Sequence, residues 1–275
     1  MSRAPIGVFD SGVGGLSVLR HIHRMLPEES LVYVADSAYA PYGGRSSEEI
    51  RERAHAICQF LIEQGVRAIV VACNTATAVA VTSLRASLTV PIIAMEPAIK
   101  PAAAMTRSGV VGVLATERTL ASDQIARLVE RHAQGCRVLL QPCPGFVDQV
   151  ERGELTGART QAVVAASLQP LLDAGIDVLV LGCTHYPFLL PVIRDLVGET
   201  LTIIDPAVAV TQELQRRLQT VAAPVVASGT VPTLRFYTTG LVARVQPVME
   251  ALWGTPVGLT QCPESMTQTP AALGR

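Results

Sequence analysis

A repetition inside the chain constrains its fold more than any other feature. Gly65-Val66-Arg67-Ala68-Ile69-Val70-Val71-Ala72-Cys73 aligns without a gap with Gly175-Ile176-Asp177-Val178-Leu179-Val180-Leu181-Gly182-Cys183, 110 residues further on. Upstream, Ile6-Gly7-Val8 followed by Ser11 aligns with Val111-Gly112-Val113 followed by Thr116, at an offset of 105. Downstream, Glu96-Pro97-Ala98 aligns with Asp205-Pro206-Ala207, at 109. Three matches in one order, at nearly one spacing, imply two similar halves.

Each half reads as α/β. Short apolar runs at Ile6–Phe9, Leu31–Ala35, Ala68–Ala72, Ile92–Ala94, Val110–Leu114, Val178–Leu181 and Thr202–Ile204 have strand length. Amphipathic patterns lie between them. The clearest begins at Ser46, with Glu49 at capping-box spacing, and carries Ile50, Ala54, Ile57, Leu61 and Ile62 on one face up to Gly65. Strands alternating with helices demand parallel sheets covered on both faces. The expected architecture is two similar parallel-sheet α/β domains related by pseudo-two-fold symmetry, with the site in the cleft between them. Residues 1–97 plus 207–262 would form the first domain, 98–206 the second, and 263–275 a loose tail rich in Thr, Gln, Pro and Ala.

Composition narrows the function. With 22 basic and 23 acidic residues well mixed over 275, and 4% aromatics, the chain lacks the charge footprint and stacking platforms of a nucleic-acid binder. Mean hydropathy is +0.37, yet no run approaches the ~18–20 apolar residues of a membrane helix. The chain enters a strand almost at once, so no signal peptide is expected. No Cys-x-x-Cys pair occurs among the six cysteines, which disfavours zinc and thioredoxin-like chemistry. A cytoplasmic protein without metal or cofactor is expected.

Ligands bind at the carboxyl ends of strands in a parallel sheet. Cys73 and Cys183 fall there in equivalent positions, each at a strand-to-helix turn. If the halves face one another, the two thiols address one cleft from opposite sides. Inverting a stereocentre requires a proton to leave one face of a carbon and another to arrive on the opposite face. A cysteine, with its ordinary pKa near 8.5, is within reach of acid and base roles near neutral pH. The polar Asn74-Thr75 and Thr184-His185 that follow suit a polar substrate, and free helix N–H groups favour a thiolate or a carboxylate. Cys58, Cys136, Cys143 and Cys262 read as structural.

Asp10-Ser11-Gly12-Val13-Gly14-Gly15, Pro41-Tyr42-Gly43, Cys73-Asn74-Thr75-Ala76 and Gly182-Cys183-Thr184-His185-Tyr186-Pro187 together resemble the signature blocks of the glutamate racemases, in family order from about Ile6 to Val210. The resemblance implies cofactor- and metal-independent interconversion of L- and D-glutamate, supplying D-glutamate for peptidoglycan, by a homodimer. It implies that Cys73 deprotonates D-glutamate and Cys183 L-glutamate. Asp10 would assist Cys73, and His185 would assist Cys183 with Glu151 on its side. Asp10 and Ser11 would hold the substrate ammonium. Pro41, Tyr42, Gly43, Asn74, Thr75, Thr116, Thr119 and Thr184 would complete the substrate site.

Three alternatives remain open. Aspartate racemase is the nearest. A dinucleotide-binding enzyme is suggested by strand Ile6–Phe9, the glycine loop and Asp36 at the end of Leu31–Ala35, although Gly12-x-Gly14-Gly15 lacks the full G-x-G-x-x-G and Asp10 would oppose a pyrophosphate. A non-enzymatic binding module would tolerate loss of either cysteine.

Overall fold

A computed structural model describes residues 2–220, 225–226 and 231–267. Three sheets form. Strands β1 (Ser2–Arg3) and β10 (Val225–Val226) make a small antiparallel pair. β2 (Ile6–Asp10), β3 (Leu31–Ala35), β4 (Ala68–Val71), β5 (Ile92–Ala94), β11 (Leu234–Thr238) and β12 (Leu259–Gln261) form a parallel sheet in the order β12-β11-β3-β2-β4-β5. β6 (Val110–Ala115), β7 (Arg137–Pro142), β8 (Val178–Leu181) and β9 (Thr202–Ile204) form a second, in the order β7-β6-β8-β9.

The repetition is therefore topological. β3-β2-β4-β5 and β7-β6-β8-β9 have the same order, and β4 and β8 are the two matched segments. Strands β2, β3, β4 and β8 are buried along their whole length, which is why they read as unbroken apolar runs. The first sheet carries two extra strands beyond β3. β11 pairs with β3 from Leu234↔Leu31 to Thr238↔Ala35, and β12 pairs with β11.

The Ser46 signal produces a helix over Ser47–Glu63 with both halves of the capping box formed, and Gly65 follows with φ +76°. Gly7 packs closely under this helix: an added Cβ there would lie 3.0 Å from the Leu61 side chain. The two halves share one apolar core. Val13, Leu16 and Ile22 from the first half cluster with Phe146, Leu181 and Tyr186 from the second.

The segment expected to be a loose tail differs at its start. Glu264–Thr267 forms a short helix and buries Met266 in the cluster that contains Cys262. Apolar burial outweighs the polar composition there, and residues 268–275 lie outside the described residues. Among the described residues, no helix is long and apolar enough to cross a membrane.

Candidate active site

The site is assembled from strand ends of both halves. β2 ends in Asp10, and the glycine loop after it turns directly into the helix Leu16–Met25. β4 leads into Cys73, which occupies the N-cap of the helix Asn74–Ser87 and accepts the Ala76 N–H at 3.4 Å. β8 leads into Cys183, with Thr184 and His185 following. Cys73 is 4% exposed and Cys183 8%.

Glycines let the halves interlock. A Cβ on Gly12 would sit 1.9 Å from Glu151 Oε1, and one on Gly14 would sit 2.2 Å from His185 Nδ1. Side chains from the second half thus fill the space over the glycine loop. A dinucleotide pyrophosphate would need that same space, so the dinucleotide reading fails on geometry.

Each thiol has its own polar escort. On the Cys183 side, Sγ lies 3.7 Å from His185 Nδ1, and His185 Nε2 lies 2.7 Å from Glu151 Oε1. The same carboxylate oxygen accepts the Val13 N–H at 2.8 Å, which pins Glu151 to the first half. Burial works against a charged imidazole. The Cys183 sulfur and the Glu151 carboxylate outweigh it and hold His185 well above the usual histidine range.

On the Cys73 side, the thiol donates to Ser11 Oγ at 3.8 Å, and the Ser11 hydroxyl donates to Asp10 Oδ1 at 3.4 Å. Asp10 thus reaches Cys73 through Ser11. It also accepts Gly15 N–H at 2.6 Å and the Thr184 hydroxyl at 3.3 Å, the latter from the opposite half. Burial raises the Asp10 carboxyl above its ordinary range, partly offset by His185. Burial first, and the Asp10 charge second, push the Cys73 thiol well above the ordinary cysteine range. Cys183 also contributes to that rise.

A raised thiol stays neutral to higher pH. Alkylation of Cys73 in the ligand-free protein, followed by mass spectrometry, is therefore expected to titrate above a free cysteine's midpoint of about 8.5. Asp10→Asn removes the neighbouring negative charge and is expected to lower that midpoint. An unmoved midpoint would remove Asp10 from the electrostatics of this thiol.

The remaining predicted residues divide into two groups. Thr75 Oγ1 lies 3.0 Å from Thr116 Oγ1 and 3.2 Å from Thr119 Oγ1, and these two are 3.0 Å apart. Three hydroxyls therefore meet across the cleft. Asn74 is buried, yet neither its amide oxygen nor its nitrogen has a partner. An orphaned buried amide costs about 1–3 kcal/mol, which a polar ligand would relieve. Pro41, Gly43, Thr116 and Cys143 line a cavity of about 170 Å³ at the cleft mouth. Tyr42 sits in the same turn. Its hydroxyl turns inward and donates to Asp36 Oδ2 at 2.5 Å.

Sequence reasoning missed Cys143 in the cleft wall, and a Cys-Pro-Gly turn carries no signal for it. Burial pushes its thiol up to about 12. Cys58, on the buried face of the helix Ser47–Glu63, is pushed to about 12 by burial alone. Among the described residues, no three of His, Cys, Asp and Glu are grouped to hold a metal ion.

Two α/β halves whose strand ends bring acid/base groups together have the architecture of an α/β enzyme with its site between the halves. The sequence pattern of the Asp/Glu/Hydantoin racemase family matches residues 6–214, and the chain belongs to that family. Glutamate racemase from Pseudomonas aeruginosa is 51% identical over 92% of this chain and 95% of that protein. The one from Ralstonia pickettii is 51% identical over 92% of this chain and 89% of its own. A Francisella tularensis glutamate racemase solved with D-glutamate superposes with a TM-score of 0.82, at 30% identity, covering 96% of this chain and 98% of that one. The Escherichia coli enzyme solved with L-glutamate and an activator, UDP-MurNAc-Ala, superposes with a TM-score of 0.83, at 30% identity, covering 94% and 98%.

Proposed function

We propose that this chain interconverts L- and D-glutamate, with Cys73 exchanging the Cα proton on the D face and Cys183 on the L face. The observation that carries the reading is the placement of the two thiols, both buried, at equivalent strand ends of opposing halves, with Asp10 bonded to Ser11 beside one and to Thr184 beside the other. Relatives of about 50% identity named glutamate racemase, and related structures holding each glutamate enantiomer, support the substrate.

Each residue then takes a role its geometry suits. One thiol acts as thiolate base while the other, as thiol, reprotonates the opposite face, and the roles exchange with the enantiomer. Asp10 and Ser11 receive the ammonium. Asn74, Thr184 and the hydroxyls of Thr75, Thr116 and Thr119 receive carboxylates, with the turn Pro41–Gly43 closing over them. Asp10 through Ser11 tunes Cys73, and His185 held by Glu151 tunes Cys183. Deprotonating Cα demands stabilisation of carbanion-like charge, which fixed donors in a dry site provide. Both sulfurs are nearly sealed, so the halves part to admit substrate.

The protein would act in the cytoplasm as a homodimer and supply D-glutamate for peptidoglycan. A circular dichroism assay offered L-glutamate, D-glutamate and both aspartate enantiomers tests the substrate. Loss of ellipticity with either glutamate, and little with aspartate, is expected. Preference for aspartate would overturn the substrate assignment.

A further inference from the structure

Asp36 belongs to no role described so far. It ends the segment after β3, is fully buried, and gathers four donors. Tyr42 Oη–H donates to Oδ2 at 2.5 Å, Arg53 Nε to Oδ2 at 3.1 Å, Arg53 Nη2 to Oδ1 at 2.7 Å and Thr239 Oγ1–H to Oδ1 at 2.7 Å. Its backbone N–H donates to the Asp10 carbonyl at 3.0 Å. The Arg53 guanidinium also lies 3.8 Å over the Tyr39 ring. The Asp36 carboxylate therefore ties the cleft lip to a helix and to the end of β11, and its backbone N–H ties it to the strand end that carries Asp10.

A buried ion pair is a costly way to hold a loop, because both ions lose their hydration. Apolar packing would hold it as firmly. What a bidentate guanidinium–carboxylate fork adds is a fixed direction. Here that direction sets the Tyr42 ring, and with it Gly43, whose face meets Thr116 across the cleft: a Cβ on Gly43 would lie 3.5 Å from Thr116 Cβ. We infer that Asp36 and Arg53 are positioning residues that set the Pro41–Gly43 lip against the Thr116 hydroxyl cluster and so govern substrate affinity. This rests on the glutamate racemase reading above.

A lip that shapes a site taking both enantiomers supplies uniform binding. Loss of uniform binding raises KM and leaves kcat nearly unchanged. Tyr42→Phe keeps the ring and removes only the hydroxyl that reads the Asp36 position. It is expected to raise KM about tenfold for both L- and D-glutamate, with kcat within about twofold of the wild type. Arg53→Lys keeps the charge and loses the fork; its KM is expected to rise in the same way, by about three- to tenfold. The control is another buried pair, Arg67 with Glu29; Arg67 Nε also donates to the Ala4 carbonyl at 2.9 Å, at the opposite end of β4 from Cys73. Arg67→Lys is expected to lower the melting midpoint without moving KM.

Steady-state circular dichroism kinetics of the full chain, alongside thermal melts, decide the matter. If Tyr42→Phe and Arg53→Lys melt earlier but keep the wild-type KM, the pair is structural only and the inference is overturned. A wild type that does not racemise glutamate overturns the underlying reading, and this inference falls with it. A racemising wild type with unaltered variants overturns this inference alone.

Discussion

Cys73→Ser and Cys183→Ser are each expected to lower glutamate racemisation by at least ~10³-fold while leaving the fold intact. Both thiols are small and buried, and serine is nearly isosteric, so packing changes little. Chemistry changes much more, because a hydroxyl is far less acidic than a thiol and makes a poor base near neutral pH. The two variants should be equally impaired in both directions, whichever face was damaged. Enantiomers have equal free energy, so the ratio of the forward and reverse kcat/KM is fixed at unity for any catalyst.

A half-reaction exposes the asymmetry that this symmetry hides. On a glutamate analogue carrying chloride at Cβ, loss of the Cα proton expels chloride. The resulting enamine hydrolyses to the 2-oxo acid and ammonia. No proton need arrive on the opposite face. Cys183→Ser retains Cys73 and should still eliminate from the D-analogue; Cys73→Ser should do so from the L-analogue. Release of 2-oxo acid by a coupled assay measures it. Either variant eliminating equally from both analogues would contradict the assignment of one thiol to each face.

Much of this arrangement was legible in the sequence, for an identifiable reason. A strand buried on both faces has no polar positions, so β4 and β8 appear as apolar runs, and their repetition exposes the two halves and the paired cysteines at their ends. Strands β7, β11 and β12, which carry polar or exposed positions, were not read. β7 runs along a sheet edge with Arg137 exposed. In β11, Arg235 and Tyr237 interrupt the apolar pattern, since their polar ends reach Gln64 Oε1 at 3.0 and 3.3 Å. β12 is too short and polar to announce itself.

Which residues gather at the strand ends was legible, but the directions of their side chains were not. Nothing local in Pro41-Tyr42-Gly43 says that the Tyr42 hydroxyl turns to Asp36. Asp36 looks like a ribose ligand in a dinucleotide pattern until Arg53 and Thr239 are found on it. Which side of a loop a polar tip faces depends on partners far away in sequence, and local pattern carries no record of them. The glycine loop is the same case. Gly12 and Gly14 suggest close approach, but only the fold shows that the approaching groups are Glu151 and His185.

That interlock yields the second large effect. Gly14→Ala is expected to reduce racemisation by about 10²-fold or more. The new methyl would meet His185 at 2.2 Å from Nδ1, 2.5 Å from Cε1 and 2.6 Å from Cγ. An aromatic ring cannot bend away from three contacts, so it must rotate or shift as a body. Either motion separates it from Cys183 Sγ, now 3.7 Å from Nδ1, and strains the 2.7 Å contact to Glu151. Cys73 lies on the other side of the cleft with Ser11 and the Ala76 N–H as its own partners. Elimination from the D-analogue should therefore persist, as in Cys183→Ser, while elimination from the L-analogue is lost. Gly258→Ala is the control: that glycine is exposed, has no heavy atom within 4 Å of an added Cβ, and should behave as wild type. If Gly14→Ala instead loses both eliminations together, with an unchanged melting midpoint, His185 serves both faces and the division of the cleft into two escorts is wrong.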